Sequence, residues 1–201
     1  MKLFLDTADL DAIRRASSTR LLRGVTTNPT HVSKTGRKFV DLIKEICEIV
    51  PEHVSVEAMG QSTEDLVAEA RNLAKLAPPI VVKIPMTPEG MAAVSILREE
   101  GKVRTNVTMV FSATQAFLAM SAGASFVSLV LSRLEAIGQP IDQLVEDTMA
   151  IQRRYGFQSE VLAASIKTQP CLLTCLRAGV DIATVPPPVF DQLFRHPLTT
   201  T

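Results

Sequence analysis

Eight times along this chain a short β-rich run gives way to a longer stretch of helical spacing. The runs are KLFLD from Lys2, RGVTT from Arg23, VSVEA from Val54, IVVKI from Ile80, VRTNV from Val103, SFVSLV from Ser125, EVLAAS from Glu160 and DIATV from Asp181. Short β-branched segments predict strands, while apolar residues at three- and four-residue intervals predict helices between them. These helices are expected over 7–17, 38–50, 62–76, 88–100, 112–122, 141–155, 168–178 and 188–195. Gly101, Gly123 and Gly179 each follow a helical stretch and precede a strand, where a left-handed helix terminus is needed. The connections are too short to hold a second domain, so the 201 residues are expected to form a single (β/α)8 TIM barrel. A doubly wound open sheet is the structural alternative. It is disfavoured because eight units can close and because polar residues recur at one end of the strands. No glycine-rich phosphate fingerprint follows any strand.

Charge and composition exclude several classes of function. Lys and Arg number 21, as do Asp and Glu, so no global basic field attracts nucleic acid and any anion site must be local. No apolar run approaches membrane-spanning length, and Leu3, Phe4 and Leu5 are too few for a signal-peptide core, so a reducing cytoplasm is expected. Cys47, Cys171 and Cys175 are odd in number, and the C-x3-C pair has no histidine beside it, so all three are expected as buried thiols. His31, His53 and His196 are scattered, so neither a metal site nor a cofactor is expected.

Within PPIVVKIPMTPEG, Lys83 interrupts a run that otherwise reads as a buried strand. A lysine there either extends its ammonium to water or serves as a nucleophile, since a desolvated amine gives up its proton more readily than one in water. Barrel chemistry lies at the carboxyl ends of strands, so the polar residues there are expected to share one cavity. Asp6 closes the first strand, Asn28 follows the second, Glu57 ends the third, and Asn106 and Thr108 end the fifth. Ser128 and Arg133 belong to the sixth strand and its exit, Ser165 and Lys167 to the seventh. Asp6 has an alternative role as a helix cap and Asn28 as a turn residue.

Together these residues supply Schiff-base chemistry. Lys83 attacks a ketone, Glu57 exchanges protons through a water held by Thr108, and Asp6 takes the proton of the hydroxyl whose carbon departs. Asn28 and Asn106 orient hydroxyls, while Arg133, Ser165 and Lys167 suit a phosphate.

The motifs FLDTAD, GVTTNPT, VSVEAMG, VVKIPMTPEG, TNVTMVFSATQA and LAASIK resemble, in order and spacing, the transaldolase family. The resemblance is to its small-subunit branch, which includes the fructose 6-phosphate aldolases, and it covers essentially the whole chain. It implies a barrel aldolase of the imine-forming class acting on sugar phosphates, with the roles just described falling on the same residues. Glu57, where direct aldolases have glutamine, and the absence of a tyrosine after the sixth strand lean towards transaldolase. A direct aldolase using free dihydroxyacetone and a non-catalytic sugar-phosphate-binding barrel are the alternatives.

Leu129 and Val130 stand where the family has proline and an aromatic residue, so a roomier wall is expected above the imine. Branch members continue past a segment like HPLT, here His196–Thr199, into a terminal helix that packs in pentamers and decamers. The chain here ends at Thr201. The resemblance implies a homo-oligomer, pentamer or decamer, and a chain without the family's terminal helix has either lost that tail or covers its site differently.

Overall fold

The structure, a computed structural model, describes residues 1–199. The eight runs form a closed, all-parallel barrel: β1 (Lys2–Asp6), β2 (Leu22–Thr26), β3 (Val54–Glu57), β4 (Ile80–Pro85), β5 (Thr105–Val110), β6 (Phe126–Val130), β7 (Glu160–Ala164) and β8 (Ile182–Val185). β8 pairs back onto β1, with Lys2 opposite Ile182, and this closure decides against the open sheet. Expected helices appear as α1 (Leu10–Ser18), α3 (Phe39–Ile49), α4 (Thr63–Ala74), α5 (Pro88–Glu100), α6 (Ala113–Ser121), α8 (Asp142–Tyr155), α9 (Gln169–Ala178) and α10 (Pro187–Gln192). Two short helices were not anticipated: α2 (Pro29–Lys34) and α7 (Leu131–Ala136). Among the described residues no helix is long and apolar enough to cross a membrane.

Side-chain caps fix where the helices start. Asp9, Ser62, Thr87, Ser112 and Thr168 each accept from backbone N–H groups of the first turn that lack helical partners. Because Asp9 caps α1, Asp6 is not the cap and its carboxylate is left to the barrel interior. Gly101, Gly123 and Gly179 adopt the positive φ expected of helix ends.

Strand alternation divides the apolar residues into two cores. Along β4, Val82 and Ile84 join the large cluster that packs strands against helices, whereas Val81 belongs to a smaller cluster inside the barrel. That inner cluster, Phe4, Val81, Phe126, Leu162 and Ile182, is completely or almost completely buried. Phe4 and Phe126 meet edge to face at 6.2 Å, and the His53 ring stacks on Phe4 at 5.7 Å. These rings fill the lower end of the barrel. Two residues further along β4, on the same face as Val81, comes Lys83.

Two glycines permit this packing. A Cβ on Gly24 would lie 2.6 Å from Cζ of Phe4, so β2 makes room for the ring by carrying no side chain there. A Cβ on Gly90 would lie 2.1 Å from the Pro85 carbonyl oxygen, so α5 approaches the end of β4 closely only because that position is bare. All three cysteines are buried thiols, and burial pushes the Cys47 thiol up to about 11.

Since Phe4 is wedged between His53 and Phe126, it has little room to yield. Gly24→Ala is therefore expected to overpack the floor and cost about 1–3 kcal/mol of stability, as read from a lowered midpoint in urea unfolding.

Candidate active site

The carboxyl ends of the strands enclose a cavity of about 470 Å³. Asp6, Asn28, Glu57, Lys83, Thr108, Ser128, Arg133, Ser165 and Lys167 all line it, so nine of the ten residues expected from the sequence share one space. Residues distant in the chain meet here because parallel pairing sets them side by side: Asp6 is opposite Thr26, and Glu57 is opposite Lys83.

Lys83 stands on the apolar floor with its side chain 12% exposed. Its Nζ donates to Glu57 Oε2 at 3.1 Å and to the Thr27 carbonyl at 3.3 Å. The amine thus points into the cavity rather than out to solvent, and the carboxylate beside it is within direct proton-transfer distance. Thr108, almost buried, opens onto the same space with its hydroxyl.

Asp6 is held by a separate set of contacts. The Thr26 hydroxyl donates to its Oδ1 at 2.9 Å; having one proton, that hydroxyl accepts in turn from Thr184 at 2.7 Å. His31 Nε2 lies 3.6 Å from the same Oδ1. Burial works against ionisation of Asp6. It is outweighed by the contacts from His31 and Thr26 and by the charges of His31 and Lys83, which hold the carboxyl below the usual carboxylate range. The result is a carboxylate that stays charged despite its burial.

Asn106 departs from expectation. It is fully buried and does not line the cavity. Its amide nitrogen donates to Ser55 Oγ at 3.2 Å and its carbonyl accepts from Ser128 Oγ at 2.7 Å. It lies in the layer beneath the lining, where it fixes the Ser128 hydroxyl. Asn28 fills both of its expected roles, capping α2 through its accepted bond from the His31 N–H at 2.9 Å and lining the cavity.

The rim carries the cations. Arg133 sits on α7 and its Nη1 donates to the Met109 thioether at 3.4 Å, a weak acceptor. Lys167 is exposed and makes no ion pair among the described residues. Both are available to a stronger anionic acceptor. Thr108 and Met109 face the cavity together although strand alternation sends neighbours to opposite sides. The pairing of β5 with β6 shifts register between Val107 and Val110, and Met109 takes φ 63°. Ser165, at φ 59°, turns into the cavity in the same way just beyond β7. Such left-handed non-glycine positions cost about 1–3 kcal/mol each and tend to gather at functional sites.

Among the described residues, no three His, Cys, Asp or Glu side chains converge as a metal-ligand set. Tyr155 lies outside the cavity, packed with Phe117 and Phe157 on the helical surface.

A family model described as transaldolase/fructose-6-phosphate aldolase matches residues 3–201. The chain belongs to this family. A probable transaldolase of Streptococcus equi subsp. equi is 48% identical over 200 residues, covering 100% of this chain and 93% of that protein. One from Methanococcus maripaludis is 49% identical over 199 residues, covering 99% and 92%, and one from Hydrogenobaculum sp. is 50% identical over 199 residues, covering 99% and 91%. A solved structure described as a monomeric dihydrodipicolinate synthase variant superposes with a TM-score of 0.64 over 92% of this chain and 69% of that one. At 16% identity it shows the shared barrel alone.

Within this transaldolase/fructose-6-phosphate aldolase chain, Thr26, Thr184, His31 and Met109 line the cavity but were not anticipated. Period-two spacing with Gly24 marks Thr26 as inward. For His31 the signal is its place three residues after the Asn28 cap, which turns the chain back over the strand ends.

Because the Asp6 carboxyl is held low, it contributes stability that is present above its unfolded pKa and lost as pH falls through its folded one. Thr26→Val removes one of the donors that oppose burial. The Asp6 carboxyl is then expected to titrate higher in carbon-detected NMR, and the acid limb of unfolding to move up in pH with it.

Proposed function

We propose that this protein is a transaldolase that moves a dihydroxyacetone unit from a ketose phosphate to an aldose phosphate through an imine on Lys83. The observation that carries the reading is the Lys83 amine, pointed into the cavity with Glu57 Oε2 at 3.1 Å. Family membership and relatives named probable transaldolases support it.

The chemistry assigns each group a task. With its proton passed to Glu57, the Lys83 nitrogen attacks the ketone carbon, and Glu57 with Thr108 relays protons through water until the carbinolamine loses water as an imine. Asp6 then takes the proton of the C4 hydroxyl. The C3–C4 bond breaks, its electron pair enters the iminium to give an enamine on Lys83, and an aldehyde leaves. An incoming aldehyde is attacked by that enamine, Asp6 returns the proton to the new alkoxide, and hydrolysis frees Lys83. Asn28 and Ser128 orient substrate hydroxyls, and Asn106 acts through Ser128. Arg133, Ser165 and Lys167 take the phosphate as charge-assisted hydrogen-bond donors.

A direct aldolase would protonate the enamine and release dihydroxyacetone. Glu57 and the aliphatic wall at Val130, which lines the cavity, favour transfer. The same reading needs no cofactor and places the chain in a reducing cytoplasm, with its thiols free, as a homo-oligomer.

Borohydride reduction with fructose 6-phosphate is expected to leave a dihydroxyacetone adduct, seen as intact mass, on the native protein and none on Lys83→Met. Steady release of dihydroxyacetone without an acceptor aldehyde would overturn the transferase reading. Arg133→Met is expected to raise KM for phosphorylated substrates roughly 10–100-fold, the loss of one charged hydrogen bond, with a smaller change in kcat.

A further inference from the structure

His31 occupies a position that the reaction above does not use. It stands between two cavities: the inner one that holds Lys83, and an outer cleft of about 530 Å³ bounded by α1, α2 and α3. Among the described residues no other lines both. On the inner side its Nε2 is 3.6 Å from Asp6 Oδ1, with side-chain exposures of 29% and 16%. Its backbone is anchored by the Asn28 cap at 2.9 Å, so the ring is aimed by a fixed turn rather than by a mobile loop.

The surrounding charges leave that contact dominant. On the cavity side the charged residues are Asp6 from β1, Glu57 from β3 and Lys83 from β4, with Arg133 and Lys167 at the rim, and Glu57 and Lys83 are engaged with each other. On the outer side, Asp9 caps α1, and Arg14 and Arg37 both bond to Glu45 at 2.7 Å. Asp11 lies 3.9 Å from Arg14, and Lys34 completes the rim. The outer cations are thus largely matched by carboxylates. Asp6 remains the anion facing Nε2. Its Oδ1 is occupied by Thr26 and faces His31, while no protein donor among the described residues bonds to Oδ2. One oxygen is set towards the imidazole and the other is left for a substrate hydroxyl.

We propose that His31 is the proton outlet of Asp6, a positioning residue that links the buried carboxylate to solvent in the outer cleft. The inference rests on the aldol chemistry proposed above. As the C3–C4 bond breaks, Asp6 accepts the hydroxyl proton. That proton passes from the carboxyl to Nε2 of His31 in its Nδ1–H tautomer, giving carboxylate and imidazolium. The imidazolium releases its Nδ1 proton to water, which leaves the Nε2–H form that donates to the carboxylate, and exchange with water returns the ring to the Nδ1–H form before the next cleavage. In the condensation direction the same path runs backwards. Asp6 is thereby restored as a base after each cleavage without waiting for the alkoxide of the next substrate.

The test uses His31→Ala and His31→Gln in the full chain. With the native protein, borohydride trapping on Lys83 reports the imine, and its failure would remove the aldol reading and this one together. Given that imine, both variants are expected to form it at the native rate. Multiple-turnover cleavage, in which Asp6 must shed its proton between turnovers, should then slow by roughly 10–100-fold, below the full range for a direct general base because His31 acts one step away, while a single turnover at neutral pH stays near the native rate. The acid limb of the rate profile should move to higher pH, since Asp6 loses a group that favours its charged form. Imidazole in the buffer should restore cleavage to His31→Ala as its free base, entering through the outer cleft. An unshifted acid limb with native cleavage in both variants would overturn the proposal, as would a loss that imidazole leaves untouched. NMR titration of Asp6 without substrate separates the two readings: it moves upward in both variants if the contact is real, whatever the substrate.

Discussion

A closed barrel of eight strands has an interior only as wide as the side chains that fill it, and every strand contributes to it at every second residue. The rest of this molecule follows from that limit. Phe4, Phe126 and their neighbours consume the lower layer, so the polar residues one step further along the same strands stand on an apolar base. Lys83 is pointed inward by the same alternation that points Val81 inward. The geometry that makes the core also delivers the amine to the cavity.

Above that base the polar groups sort into sets that scarcely share partners. Lys83 and Glu57 hold each other. Asp6 is supported by Thr26, Thr184 and His31, and Asn106 with Ser55 and Ser128 forms a buried chain of its own. Separate support lets an acid, a base and an amine be positioned independently in a space of about 470 Å³.

Most of the barrel was legible in the sequence because its signals are local. Runs such as IVVKI and caps such as Ser62 and Thr87 declare element type without reference to the rest of the chain. What escaped depended on closure or depth. The six-residue α2 buries no side chain, so it lacked the apolar period despite its Asn28 cap, and α7 follows β6 directly with no capping side chain, so it lacked the cap that marks a helix. Asn106 was rightly read as inward, but alternation gives a face and not a height, and it proved to lie one layer down. His31 looked like a scattered histidine because 25 positions of chain separate it from Asp6. Only the pairing of β1 with β2 brings them together. The inward turn of Met109 likewise reflects an irregular register that no single strand reveals.

The ring-filled floor at Phe4, Phe126 and His53 gives the reacting cavity a dead end. In the proposed reaction a sugar that enters past Arg133 and Lys167 must leave by the same door, and the departing aldehyde stands between the enamine and any newcomer. Donor and acceptor therefore take turns at one threshold. An excess of either one obstructs the other, so throughput depends on the ratio of the two sugars as well as on their amounts.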